Sequence, residues 1–430
     1  MTPTGALPVT ASFVARLRVA RTRGEVMVQP RMGFADPVRM REGLLAVRAA
    51  DAPTVGTLTL DSYTRTGDTE AAARALRDGT PLNGYPLCNH PLATTTAVLA
   101  GLSGPSGLPV QVRHGSARPV AIVERLLALG LDATEGGPVS YCLPYGRVPL
   151  RTAVDEWSRA ADLLAAAATP QRPTHVESFG GCLLGQLCPP SLLVAVSVME
   201  ALFLRQHGVP SVSLSYAQQT HPGQDLEALV ALRRLAGEHL PDTDTHLVLY
   251  TYMGVFPRTP GGAEALLAES ARLAVHGGAD RLIVKTTAES RRIPTIADNV
   301  HALELAAGAV RAAQEERGRG ERPWERTESG LYDEARLLVE AVRSLHPDVG
   351  RALREAFRLG LLDLPYCLHP DTVGRASSRL DADGRLQWAT VGAMPLPRPA
   401  ATVTRPTAAE LSTMLNYVAT RFDGRHGDRG

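Results

Sequence analysis

Arginine has replaced lysine almost everywhere in this sequence: of its 45 basic residues, only Lys285 is lysine. A compact ammonium with a tunable pKa does what a planar, permanently charged guanidinium does not. A single retained lysine therefore points to a site where that difference matters. Lys285 closes the apolar run Leu282–Lys285, and Glu289 follows four residues on. Other charged residues stand at the ends of similar runs. Val26–Gln29 leads into Pro30-Arg31-Met32-Gly33, Thr54–Leu60 into Asp61-Ser62-Tyr63-Thr64-Arg65, and Leu108–Val112 into Arg113-His114-Gly115. Glu135-Gly136-Gly137 follows a weaker run at Leu131–Ala133, and the segment SYCLPY then brings Tyr141 and Tyr145.

Guanidinium forks match carboxylates bidentately. Taken singly, each arginine could pair with a structural acid such as Asp36 or Asp61. Three of them at one mouth would call for an anionic ligand, and a dicarboxylate is the economical one. Glu135, flanked by glycines expected to let a ligand approach, offers a partner for an ammonium; the alternative is a capping or packing carboxylate. On spacing alone, Tyr141 and Tyr145 suit an aromatic core as well as a hydrogen-bonding role. Two carboxylates and one ammonium describe an acidic amino acid. This chemistry says what binds, and not what happens to it.

The elements that would position these residues alternate. Short β-branched or apolar runs, with Val212–Ser215 and Leu247–Thr251 added to those above and weak candidates near Leu82 and at Val176–Phe179, are each followed by a helical pattern. The helical segments are Pro37–Ala49, Thr69–Arg77, Val120–Leu129, Arg151–Ala168, Leu192–His207, Gln224–Glu238, Gly262–His276 and Ile296–Glu315. Strands alternating with helices imply a parallel sheet. Eight or nine units over about 300 residues suit a closed (β/α)8 TIM-type barrel, in which functional residues crowd at the carboxyl ends of strands. There is no GxGxxG after the first strand and no GxxxxGK[ST], which removes support from the common open-sheet nucleotide folds. Residues 1–320 are expected to form the barrel, and 321–430 a linker, helices and a small α+β C-terminal extension. Glu315–Gly330 reads as an exposed linker, Leu331–Leu345 and Val349–Leu359 as helices, and Ala382-Asp383-Gly384 as a hairpin turn. The closing FDGRHGDRG is expected to fray.

Bulk properties exclude several classes. The content of 44% hydrophobic and 21% charged residues, with a net charge of +1, is that of a globular enzyme with no field favouring nucleic acid or anionic membrane. The five cysteines form no CxxC pair, which argues against a zinc site or disulfide framework and for a reducing, cytoplasmic setting. Arg16, Arg18, Arg21 and Arg23 have no apolar core behind them, unlike a secretory signal.

The blocks MVQPRMG, LTLDSYTR, PLNGYP, VQVRHG, TEGGPVSYCLPY, YMGVFP and IVKTTAESRRIPT resemble, in order and spacing, the epsilon subunit family of glutamate (methylaspartate) mutase, from about residue 13 to about 398. The resemblance implies a barrel whose mouth is closed by a small subunit carrying adenosylcobalamin, two copies of each chain forming a heterotetramer. It implies interconversion of L-glutamate and (2S,3S)-3-methylaspartate by radical fragmentation and recombination. Carried over by motif, the substrate carboxylates fall to Arg31, Arg65 and Arg113 with His114 beside them, the ammonium to Glu135, and further hydrogen bonds to Tyr141 and Tyr145. Cofactor contacts fall on Gly33, Asn83, Pro144 and Phe256, and the adenosine end on Lys285, Glu289 and Ile293; Glu135 and Lys285 are the catalytic candidates.

The sequence also departs from the family. Its N-terminal arm is shorter than that of fermentative members, and Tyr216–Gly223 (YAQQTHPG) differs from the corresponding segment. The small subunit's DxHxxG cobalamin signature is absent, since Asp298 and His301 in DNVH have the wrong spacing. A histidine ligand for cobalt is therefore expected from a partner chain. Two rivals fit the residues without a partner. One is a Schiff-base aldolase or lyase using Lys285 as the amine nucleophile. The other is a non-catalytic barrel that binds an acidic amino acid.

Overall fold

The computed structural model describes residues 10–104, 107–144, 146–182, 187–324, 328–398 and 406–426. Eight short strands form one parallel sheet: β1 (Met27–Pro30), β2 (Gly56–Thr59), β3 (Val110–Arg113), β4 (Ala133–Glu135), β5 (His175–Ser178), β6 (Ser211–Ala217), β7 (Asp244–Tyr250) and β8 (Arg281–Val284). Their order is β1-β8-β7-β6-β5-β4-β3-β2. The seam between β1 and β2 closes at Val28. Its N–H donates to the Pro53 carbonyl at 2.9 Å, and its carbonyl accepts from the Val55 N–H at 3.1 Å. The result is the (β/α)8 barrel expected from the alternation.

β6 and β8 are buried on both faces, so polar residues are enclosed there as well as apolar ones: β6 alternates serine with apolar residues, and β8 opens on Arg281 before Leu282, Ile283 and Val284. The surrounding helices bury one stripe each, as in Val120–Ala128, where Val120, Ile122, Val123 and Leu126 face the sheet. Pro190–Gln206 is buried almost all round, because the helices Leu331–Arg343 and Val349–Leu359 pack over it. That outer layer explains why its sequence has no polar face.

Three features correct the sequence reading, and a fourth adds to it. The segment near Leu82 is not a strand: Pro81, Asn83-Gly84 and Pro86 break it, and Tyr85 makes only an isolated bridge to Leu60. The helix begun at Ile296 runs on to Gly318, past the expected linker start at Glu315. A helix at Ala408–His426 holds the first part of FDGRHGDRG in place: Phe422 is buried, and Asp423 accepts from the N–H groups of Arg258 and Thr259, both at 2.9 Å. The basic stretch near the start forms a helix, Phe13–Thr22, that closes the barrel floor. Phe13 stacks on His175 at 4.9 Å, while Arg18 and Arg21 donate to Asp244 and Asp280, at 3.1 and 2.9 Å, beside the starts of β7 and β8. The expected hairpin is present as β9 (Ser377–Leu380) and β10 (Leu386–Thr390). Among the described residues, no helix is long and apolar enough to cross a membrane, and no group of His, Cys, Asp and Glu could hold a metal ion.

Candidate functional site

Arg31 and Arg113 stand at the carboxyl ends of β1 and β3, and Arg65 in the short helix Ser62–Thr66 that follows β2; the three line one cavity of about 250 Å³, together with His114, Glu135, Tyr141, Phe179 and Met253. The acids considered as structural partners are engaged elsewhere. Asp36 accepts from the Arg39 N–H, and Asp61 from those of Tyr63 and Thr64, each capping the helix that follows its strand. Gly115, at φ +64°, leaves space that a Cβ would fill 2.9 Å from Cδ of Arg65, so this glycine lets the arginine pass. Arg65 makes no ion pair with another described residue.

Arg113 and Glu135 are almost completely buried and form an ion pair, Nε to Oε2, at 2.6 Å. Burial alone would lower the Arg113 pKa; Glu135, Tyr250 and Tyr141 outweigh it and hold the value above the ordinary one. Glu135 also accepts from the Tyr141 hydroxyl. Nη1 of Arg113 and Nε2 of His114 are buried and have no hydrogen-bond partner among the described residues. Nδ1 of His114 accepts from the Ser116 N–H at 3.0 Å, so the neutral ring carries its proton on Nε2. Burial lowers the His114 pKa to about 3, which keeps the ring neutral. The cavity thus has a guanidinium donor and an imidazole donor without acceptors.

Gly136 and Gly137 do not open a path to Glu135, contrary to the sequence expectation. A Cβ at Gly136 would lie 2.5 Å from the Trp157 and Tyr141 rings, and one at Gly137 would meet the Glu200 carboxylate at 2.1 Å. Glu200 accepts from the N–H groups of Val139 and Ser140, at 3.0 and 2.8 Å, and so fastens the turn that carries Tyr141. Burial raises its pKa to about 7.

A second, open groove of about 500 Å³ adjoins the cavity, with Arg31, Thr59 and Asn83 common to both linings; Met32, Gly33, Glu289 and Ile293 also line it. Gly33 is required for a close backbone crossing, since a Cβ there would lie 2.2 Å from the Thr59 carbonyl oxygen. Asn83 is exposed and accepts from the Ser62 N–H at 3.0 Å; Ile293 is 71% exposed. Lys285 lies beside this groove, outside the arginine cavity, 3.5 Å from Glu289 and 4.7 Å from the centre of the Phe256 ring. Burial lowers its pKa to about 8, against the raising effect of Glu289. Pro144 is half-buried in the turn after Tyr141, and Tyr145 lies outside the described residues.

Three buried residues escaped the sequence reading: Glu177, Tyr250 and Arg281. Tyr250 contacts the Arg113–Glu135 pair, and Arg281 pairs with Glu177 beneath it. The signal was available. A charged residue inside a strand covered on both faces must be paired, and Glu177 and Arg281 both sit in such strands.

The fold and site define a (β/α)8-barrel protein with a cationic, ligand-sized cavity at the carboxyl ends of its strands. The chain belongs to the methylaspartate mutase E chain family, whose profile matches residues 7–414. It is 32% identical over 409 residues to the glutamate mutase epsilon subunit of Halobacterium salinarum, covering 91% of this chain and 82% of that one. Identity to the epsilon subunit of Escherichia coli O157:H7 is 29% over 404 residues, covering 91% and 82%. For Haloarcula marismortui it is 30% over 398 residues, covering 89% and 78%.

Proposed function

We propose that this chain is the large, substrate-binding subunit of an adenosylcobalamin-dependent carbon-skeleton mutase interconverting L-glutamate and (2S,3S)-3-methylaspartate, an isomerase of the intramolecular-transferase kind. The observation that carries the reading is the convergence of Arg31, Arg65, Arg113 and Glu135 on one cavity in a chain of this family. Arg31, Arg65 and the unpartnered Nη1 of Arg113 supply donors for two carboxylates, and Nε2–H of His114 adds a neutral one. Glu135, already oriented by Arg113 and Tyr141, receives the substrate ammonium. The deep end of the cavity is buried, which keeps water from a reactive intermediate.

The adjoining groove fits the adenosyl end of the cofactor by its chemistry. Lys285 and Glu289 offer a donor and an acceptor for vicinal hydroxyls, and Ile293 an exposed apolar surface. Gly33, Asn83, Pro144 and Phe256 complete the proposed contacts. When bound, adenosylcobalamin supplies the radical that removes hydrogen from the substrate. A small cobalamin-binding subunit with a DxHxxG motif is the proposed partner, two copies of each chain assembling in the cytoplasm. Asp298 and His301 do not substitute for that motif. Asp298 caps the helix at Thr295, and His301 lies on the surface, 3.8 Å from Glu264. The Schiff-base reading loses ground because Lys285 does not line the arginine cavity.

Calorimetric titration of the purified chain with L-glutamate and L-glutamine tests the substrate assignment. Loss of one charge-assisted pairing of about 2 kcal/mol gives a preference of roughly 30-fold for glutamate. Equal affinities would contradict the dicarboxylate assignment. A borohydride-trapped adduct on Lys285 would favour the lyase.

A further inference from the structure

A ladder of buried charges runs from the barrel interior to the cavity. Arg281 and Glu177 are fully buried and paired through Nη2 and Oε2. Nη1 of Arg281 donates to Gln29 and, at 3.0 Å, to Gln111, so Arg281 is held from both sides. The other Glu177 oxygen accepts from the Tyr250 hydroxyl. The Tyr250 oxygen also lies 2.9 Å from Oε2 of Glu135 and accepts from Nη2 of Arg113 at 3.3 Å. Two guanidiniums thus face two carboxylates across one neutral phenol, and the charges balance.

The consequence lies in the Arg113 fork. Nε is fixed on Glu135 at 2.6 Å and Nη2 on Tyr250, while Nη1, in a residue that lines the cavity, is buried with no partner among the described residues. A planar group held at two of its three nitrogens cannot turn. Tyr250 is itself fully buried, packed edge-on against Phe179 at 5.4 Å, and is not part of the cavity lining. It has no route to a ligand except through the residues it holds.

We propose that Tyr250, anchored by Glu177 and Arg281, is a positioning residue that locks the Arg113 guanidinium so that Nη1 is presented to a ligand carboxylate. This rests on the reading of the cavity as an acidic amino-acid site. The neutral phenol is the suited side chain here: it accepts from Arg113 and donates to a carboxylate, leaving the ladder's charge unchanged.

A double-mutant cycle on the full-length chain, read as L-glutamate affinity by calorimetry, tests it. Tyr250→Phe is expected to weaken binding about tenfold, as one lost orienting bond would, and Arg113→Met to weaken it further. Because Tyr250 acts through Arg113, the double variant should bind no more weakly than Arg113→Met alone. Additive losses, or wild-type affinity in Tyr250→Phe beside a weakened Arg113→Met, overturn the positioning role and leave the site reading standing. Unchanged affinity in Arg113→Met overturns both. A second measurement needs only Arg113→Met for signal assignment. In the wild-type chain a locked guanidinium gives separately resolved Nη resonances for Arg113 in nitrogen NMR spectra. A single averaged signal overturns the proposal even if Tyr250→Phe fails to fold.

Discussion

Arg31 and Lys285 share one carboxylate oxygen: Nη1 of Arg31 and Nζ of Lys285 each lie 3.5 Å from Oε1 of Glu289. Glu289 thereby ties the wall of the arginine cavity to the chain's one lysine. Two cations on one anion make Lys285 responsive to both neighbours.

The first prediction follows from that sharing. Burial holds the Lys285 pKa near 8, Glu289 raises it and Arg31 lowers it. Glu289→Gln should shift the pH midpoint of Lys285 acetylation, followed by mass spectrometry, below about 8. Arg31→Met should shift it upward. A midpoint unmoved by either change would mean that the shared carboxylate does not govern this amine.

The three cavity arginines should respond alike in turnover but not in stability. A lost charge-assisted bond to a desolvated carboxylate costs on the order of 2–4 kcal/mol, so Arg31→Met, Arg65→Met and Arg113→Met should each slow turnover roughly 30-fold to 1000-fold. Arg31 and Arg65 stand at the half-exposed rim, so their removal should leave the melting temperature near wild type. Arg113→Met strands Glu135 in a buried setting and should also lower it. Normal kinetics with early melting in two of the three would identify structural ion pairs instead.

His114 should remain neutral across the working pH range. Its pKa is lowered by burial from 6.5 to about 3, and the Ser116 N–H fixes the Nε2–H tautomer. A native pKa below the unfolded one means that stability is lost as pH falls below about 6.5, where the unfolded ring takes up a proton and the native ring does not. Ring nitrogen shifts should show no His114 titration between roughly pH 5 and 8. A midpoint near the ordinary histidine value would refute the assigned tautomer lock.

Glu200 makes the opposite contribution. Burial raises its pKa from 4.5 to about 7, so the native state holds this proton more tightly than the unfolded chain does. Its stabilising share is full below the unfolded value and is lost as pH rises towards 7, on the order of 1.4 kcal/mol per pH unit. Glutamine can accept the Val139 and Ser140 N–H bonds through its carbonyl oxygen and donate to the Ser140 hydroxyl. Urea unfolding at several pH values should therefore give a flatter profile for Glu200→Gln across that window. Identical profiles would show that Glu200 does not titrate there.

Much of this architecture was legible because barrel strands are bounded by turn residues and end on functional ones. Arg31, Arg65 and Arg113 could be listed as strand-end cations from spacing alone, and Lys285 from its rarity. Their pairing was not legible. Whether Arg31 meets Asp36 or Glu289 depends on the closure of β1 against β8, a contact between residues more than 250 positions apart. Gly136 and Gly137 suggested ligand access, because a glycine in sequence does not say which neighbour fills its missing Cβ; here Trp157, Tyr141 and Glu200 do. The closing FDGRHGDRG looks frayed in sequence because what orders its start lies in distant partners, with Asp423 holding the loop at Arg258 and Thr259. Tyr250 was hidden in an apolar run, where a buried phenol looks like any core aromatic until its hydroxyl is placed.

Conversion of carbon-13-labelled L-glutamate, followed by NMR in a mixture of this chain, a small cobalamin-binding subunit and adenosylcobalamin, tests the central claim most directly. The expected result is a new methyl-bearing amino acid identified as (2S,3S)-3-methylaspartate, with no conversion when the small subunit is left out. Glutamate that binds yet remains unchanged in the complete mixture, or is converted without the small subunit or cofactor, would contradict the mutase assignment.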